Sequence, residues 1–187
     1  IFNMIKKTGF SATITSDKNE ILKAKKIVLP GVGSFDSAMK NLENLDLIEI
    51  LNKKALDERI PILGICLGMQ IMTNSSEEGR KKGFGWINAS TLNFPFSREY
   101  KIPHMGWNIP KSFKEHKIFQ NLDTSSKFYF VHSYFVETVY DENSLMKVDY
   151  GITFDAAIFN RNIIGLQFHP EKSHKYGMEI FHNFAVI

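Results

Sequence analysis

The sequence predicts a three-layer α/β domain: a mainly parallel sheet with helices on both faces and its reactive side chains at the carboxyl ends of strands. Three observations carry that prediction. Short apolar runs alternate with helix-period segments through the first half of the chain. One fully apolar run, Pro61-Ile62-Leu63-Gly64-Ile65, passes straight into residues of helical composition from Cys66 to Met72. Finally, 187 residues that are 43% apolar, with sixteen phenylalanines, can bury one core of ordinary size, so a single domain over residues 1–187 is expected.

The elements follow in order. Phe2 to Gly9 reads as the end of a helix closed by a glycine. Ala12 to Thr15 reads as a weak strand, Asp17 as the cap of a short helix through Lys25, and Lys26 to Leu29 as a buried strand ended by Pro30-Gly31. Ser34 can cap a helical region with apolar Phe35, Ala38, Met39, Leu42 and Leu45, continuing from Leu47 to Leu56. From about Gly83 the texture turns to short strands: Trp86–Phe94, Phe128–Val136, Leu145–Val148, Thr153–Phe159 and Ile163–Phe168, where mixed or antiparallel pairing is expected. His174 to Ala185 closes the chain as a packed helix.

Composition removes several classes of function. A formal charge of +3 is scattered, without the basic face that phosphate-backbone binding requires, so no nucleic-acid partner is expected. No run of eighteen apolar residues is present, so no membrane span is expected. A single cysteine, Cys66, excludes an internal disulfide and fits a reducing, cytoplasmic setting. A second cysteine, histidines paired at helical spacing and a calcium-loop pattern are all absent, as is a phosphate-binding glycine loop; neither a metal nor a cofactor is expected.

Chemistry concentrates at two places. Gly64-Ile65-Cys66-Leu67-Gly68 has the pattern of a nucleophile elbow with cysteine as the nucleophile, since a strained strand-to-helix turn tolerates only small neighbours. The start of the following helix offers unpaired N–H groups and a positive dipole end, both favouring thiolate. A proton shuttle is also needed. His169 ends the buried-type strand Ile163–Phe168, and Glu171, two residues on, can hold the imidazole's other nitrogen. Each residue has a bland alternative: a free cysteine packs well in a core, His169 can be structural, and Glu171 can be a surface carboxylate. Spacing alone does not bring the three together.

With Gly64-Ile65-Cys66-Leu67-Gly68-Met69-Gln70 and Gln167-Phe168-His169-Pro170-Glu171 in hand, the sequence resembles the class I glutamine amidotransferases, whose fold is flavodoxin-like. Pro30-Gly31-Val32-Gly33-Ser34-Phe35, Pro103-His104-Met105-Gly106-Trp107-Asn108 and Tyr129-Phe130-Val131-His132-Ser133-Tyr134 make it similar, within that family, to the glutaminase subunits of imidazole glycerol phosphate synthase. The resemblance implies hydrolysis of L-glutamine to glutamate and ammonia, with ammonia passed to a barrel-shaped cyclase subunit in a heterodimer. It implies a catalytic triad of Cys66, His169 and Glu171, and oxyanion donors from Leu67 and the Gly31-Val32-Gly33 segment. It further implies glutamine contacts by Gln70, Glu78, Ser133 and Tyr134, and a partner interface at Pro103, Met105, Trp107, Tyr129 and Lys172. Low activity without the liganded partner is part of the same expectation.

Family members begin with a strand and an Asp-Tyr-x-x-Gly-Asn-like turn that this sequence lacks, so the resemblance implies a missing first strand and an N-terminally incomplete domain. Three rivals stand beside the main reading: a paralogous amidotransferase supplying ammonia for sugar amidination, a noncatalytic partner-binding scaffold, and a cysteine peptidase of related architecture.

Overall fold

The computed structural model describes residues 1–187. The chain runs α1 (Phe2–Lys7), α2 (Lys18–Lys23), β1 (Ile27–Gly31), α3 (Phe35–Asn44), α4 (Ile48–Asn52), a π-helical turn at Lys53–Asp57, β2 (Ile62–Cys66) and α5 (Leu67–Gln70). It continues through β3 (Ser75–Ser76), β4 (Ala89–Asn93), β5 (His104–Asn108), β6 (Ser112–Phe113), β7 (Phe128–His132) and β8 (Tyr134–Thr138), then β9 (Ser144–Tyr150), β10 (Ile152–Asn160), β11 (Ile163–Leu166) and α6 (His174–Val186).

The large sheet has the order β1-β2-β11-β10-β8-β4-β3, with β9 on β10 and β6 on β9, while β5 and β7 form a separate two-stranded sheet. The α/β class stands, but parallel pairing is narrower than expected. Only β1 with β2, β2 with β11, and β3 with β4 are parallel; the other pairs in the large sheet are antiparallel. One residue, Gly151, joins β9 to β10, and two, Arg161 and Asn162, join β10 to β11; connections that short force antiparallel neighbours.

Alternation along β2 explains why helices cover both faces. Leu63 and Ile65 point into a core shared with Ile180, Phe181 and Phe184 of α6, on which Ile1, Met4 and Ile5 of the α1 region also pack. Ile62 points into the opposite core, with Leu51, Ala55, Met69 and Met72.

Two helix signals read in the sequence are present, but Ser34 does not cap α3 with its side chain: its hydroxyl donates to Ser37 Oγ at 2.8 Å. The Asp17 side chain accepts the N–H groups of Asn19 and Glu20 to start α2, and Gly9, at φ 90, follows the end of α1. Three strand expectations require correction. Ala12–Thr15 is not a strand: Ile14 is 80% exposed and the segment has no neighbouring strand to bond. β1 is half-exposed instead of buried, because it lies at the end of the sheet order and pairs on one side only. Phe128–Val136 is two strands, β7 and β8, that part at Ser133 and join different sheets.

Candidate active site

Register assembles the site. Gly31 of β1 lies opposite Cys66 of β2, and Ile65 lies opposite Leu166 of β11, so the carboxyl ends of three parallel strands meet at one edge. Cys66 sits there with φ 54 and ψ −111, a left-handed conformation costly for a residue with a side chain. The strain persists because glycines let the backbones touch. A Cβ on Gly31 would lie 2.7 Å from Gly68 N, and one on Gly64 would lie 2.5 Å from Gly68 O. A Cβ on Gly68 would collide with the Leu29 carbonyl. Larger residues would push α5 off the sheet and unlock the corner. Leu67 takes the first position of α5, where amides have no intrahelical acceptor.

His169 follows β11 by three residues, with its N–H donated to Tyr129 O at 2.8 Å and its carbonyl accepting from Ser173 Oγ at 2.7 Å. Its backbone is therefore held on both sides. Its Nδ1 bonds Glu171 Oε1 at 2.7 Å, and Nε2 is buried without a partner. Burial pulls the imidazole pKa down, but interactions with Cys66 and Glu171 outweigh it and hold the value at about 9. The same contact keeps Glu171 below the ordinary glutamate range, against the opposing effect of burial. Cys66 is near enough to raise the imidazole pKa, although Nε2 makes no hydrogen bond to it.

Around the sulfur lies a shell in which Gln167, Val131 and His132 had no role in the sequence reading, beside the expected Gln70 and Tyr134. Cys66 Sγ is 3.8 Å from Val131 O, and Gln167 Nε2 is 3.7 Å from Sγ. Gln70 Nε2 bonds Gln167 Oε1 at 3.1 Å and Tyr134 O at 3.3 Å. Tyr134 O also accepts from His132 Nδ1 at 2.7 Å. Burial drives His132 to about 3 and His104 to about 4, so both are neutral near pH 7. His132 Nδ1 therefore carries the proton that its carbonyl partner demands, and His132 Nε2 accepts from His104 Nδ1 at 2.9 Å. Gln167 was visible in the sequence as the one polar side chain within an otherwise apolar run from Ile163 to Phe168. A fully buried amide has to find partners, and that signal singles it out.

The remaining expected residues fall in three places. Val32 is 87% exposed and Gly33 has φ 101, so the segment after β1 stands clear of the sheet beside the corner. Glu78 is half-buried and its Oε2 accepts the N–H of Phe35, the first residue of α3, at 2.7 Å. Ser133 is exposed at the parting of β7 and β8, whereas the Tyr134 carbonyl turns inward to Gln70.

Met105, Trp107, Tyr129 and Lys172 gather on the β5/β7 sheet, where Trp107 is paired with Tyr129 and Met105 with Val131. Trp107 meets the Tyr129 ring edge-on at 5.8 Å and stacks on His174 at 5.3 Å, and Lys172 Nζ lies 5.6 Å from the centre of Tyr129. Met105 is 60% exposed and Trp107 47%, so neither is a core residue. Pro103 stands apart from the aromatic cluster, lining with Met105 and Tyr150 a cavity of about 560 Å³.

A cysteine on a strand-to-helix corner, beside a histidine oriented by a carboxylate, equips an α/β domain for acyl transfer through a thioester. A model of the class I glutamine amidotransferases matches residues 1–187, and the chain belongs to that family. It is 56% identical to imidazole glycerol phosphate synthase subunit HisH 2 of Methanococcus maripaludis, over 98% of this chain and 91% of that one. It is 41% identical to the subunit HisH 2 of Pseudomonas aeruginosa, over 99% and 92%. Among solved structures, a glutamine amidotransferase superposes with a TM-score of 0.69 at 14% identity, over 99% of this chain and 92% of that one. The glutaminase domain of Trypanosoma brucei CTPS with bound acivicin gives 0.66 at 17%, over 98% and 84%. These two likenesses bear on the fold.

Proposed function

We propose that this chain is the glutaminase subunit of an imidazole glycerol phosphate synthase, releasing ammonia from L-glutamine for a cyclase subunit bound on the β5/β7 face. The observation that carries the chemistry is Cys66 held at φ 54 beside the unpartnered, buried Nε2 of His169. The identities of 56% and 41% with two HisH subunits support the pathway.

In this reading the Cys66 sulfur, as the thiolate beside protonated His169, attacks the side-chain carboxamide carbon. The developing oxyanion takes N–H groups from Leu67 and from the Gly31-Val32-Gly33 segment, whose glycines permit the peptide to turn. His169, held protonated by its pKa of about 9, gives its Nε2 proton to the departing nitrogen as the C–N bond breaks, leaving a glutamyl thioester and ammonia. Neutral His169 then takes a proton from water, whose oxygen attacks the thioester carbon; glutamate leaves, its carboxyl proton passing to solvent, and Cys66 departs as the thiolate beside protonated His169. Glu171 keeps the ring oriented and stabilises its charge. Glu78, Gln70, Ser133 and Tyr134 are assigned to the polar ends of glutamine. Pro103, Met105, Trp107, Tyr129 and Lys172 are assigned to the partner, since exposed aromatic and methionine side chains beside a lysine suit an interface.

Ammonia release from glutamine, measured with and without a cyclase subunit carrying its ligand, tests this. Turnover dependent on the liganded cyclase and abolished by Cys66→Ala is expected; turnover that survives Cys66→Ala would overturn the mechanism, and none with any cyclase would overturn the function.

A further inference from the structure

We propose that Gln167 holds the Cys66 sulfur for attack, donating its side-chain N–H to it, with the polarity of that amide dictated by a buried hydrogen-bond chain that starts beneath the β5/β7 face. The inference rests on the proposed nucleophilic role of Cys66 and adds a residue to it.

The direction of the chain follows from which atoms can donate. Tyr134 O can only accept, so both groups facing it present N–H: His132 Nδ1 at 2.7 Å and Gln70 Nε2 at 3.3 Å. Turning the Gln70 amide over would set two oxygens against each other in a dry interior. With its nitrogen fixed, Gln70 gives its second N–H to Gln167 Oε1 at 3.1 Å. Gln167 is then left with only donors on its far side, facing Cys66 Sγ at 3.7 Å. Upstream, His132 can offer Nδ1–H only because its Nε2 accepts from His104 Nδ1, and His104 Nε2 in turn faces Asn108 Nδ2 at 3.4 Å. Both histidines are neutral, so the proton positions do not change near pH 7.

An acceptor and a donor therefore compete for the sulfur. As a thiol it can donate to Val131 O at 3.8 Å; as a thiolate it is repelled by that carbonyl and drawn to the Gln167 N–H. Gln167 and Gln70 are 0% and 5% exposed, and the sulfur's own residue is 9% exposed, so water cannot replace a lost donor cheaply. Val131 lies opposite exposed Met105 in the β5/β7 register, which places the outer face one strand away from the sulfur.

The test uses the full chain and iodoacetamide, reading the rate of Cys66 alkylation against pH, beside kcat and KM for glutamine with the liganded cyclase. Gln167→Met removes the donor at nearly constant volume. The alkylation profile is expected to move up by about one pH unit, about tenfold in rate on its lower limb, with kcat reduced and KM little changed. Because Gln167→Met leaves a Gln70 N–H without an acceptor, the double change with Gln70→Met is the control that orphans neither amide. A purely structural role would alter stability and leave the profile in place. A profile that coincides with wild type in whichever of these variants keeps the wild-type circular dichroism spectrum overturns the proposal. Alkylation needs no turnover, so a chain that fails to hydrolyse glutamine yet shows the shift separates a failure of the function from a failure of the Gln167 role.

Discussion

The carboxylate of Glu78 accepts the backbone N–H of Phe35 at 2.7 Å, joining the loop after β3 to the first turn of α3. Asp36 answers from the helix by accepting the N–H groups of Arg80 and Lys81. Glu78, proposed to bind glutamine, thus already caps the helix that follows the Gly31-Val32-Gly33 segment, where a negative charge is favoured. Glu78→Ala is expected to lower the unfolding free energy by about 1 kcal/mol and to raise KM for glutamine about tenfold or more through loss of a charged contact. Urea unfolding and steady-state kinetics read the two effects separately. A change confined to stability would leave Glu78 as a cap alone.

Glu171→Gln removes the negative partner of His169 while keeping its size. The imidazole, held at about 9 in the intact site, should titrate lower, and kcat should fall about 100-fold or more. The pH profile of kcat/KM with the liganded cyclase is the check; a profile unmoved by this change would remove Glu171 from the mechanism.

Gly68→Ala forces a methyl group onto the Leu29 carbonyl at the crossing of α5 and β1. Backbone there cannot yield as a side-chain tip would, and a loss of about 2–3 kcal/mol is expected, measured by urea unfolding. Activity should fall as well, because α5 sets the corner at Cys66.

Trp107→Ala is expected to weaken cyclase binding at least about 30-fold, the effect of truncating a central aromatic anchor by about 2 kcal/mol. Trp107 is 47% exposed, so stability of the free chain should change little. Titration calorimetry against the cyclase gives the affinity, and the thermal midpoint gives the comparison.

His104 and His132 carry folded pKa values of about 4 and about 3, below the ordinary 6.5. A histidine depressed in this way binds its proton more readily in the unfolded chain. Its contribution is therefore intact above pH 6.5 and is lost progressively as pH falls toward 4, by about 1.4 kcal/mol for each unit of difference. His169 has the opposite sign. Raised to about 9, it contributes fully below 6.5 and loses its contribution as pH climbs through 9. Urea midpoints from pH 4 to 10 should show both flanks. In a His104→Gln, His132→Gln double variant the acid flank should flatten, and in Glu171→Gln the alkaline one should.

What the sequence by itself determined was local: the apolar run Ile62–Ile65, the glycines around Cys66, the Asp17 cap, and the pairing of His169 with a carboxylate two residues on. These are legible because each depends on neighbours within one or two turns of chain. The family resemblance supplied the roles that spacing could not. Tertiary structure alone decided that β2 and β11 are adjacent, which brings Cys66 to His169 across 103 positions of sequence, as the Gln167–Cys66 contact across 101 positions illustrates. It also decided that Ala12–Thr15, strand-like by pattern, has nothing to pair with, and that β7 leaves the main sheet to lay Val131 and Tyr129 over the site. The physical reason is the same in each case. Hydrogen bonds between strands join residues distant in sequence, and their register is chosen by the burial of whole faces, a property that no single segment contains.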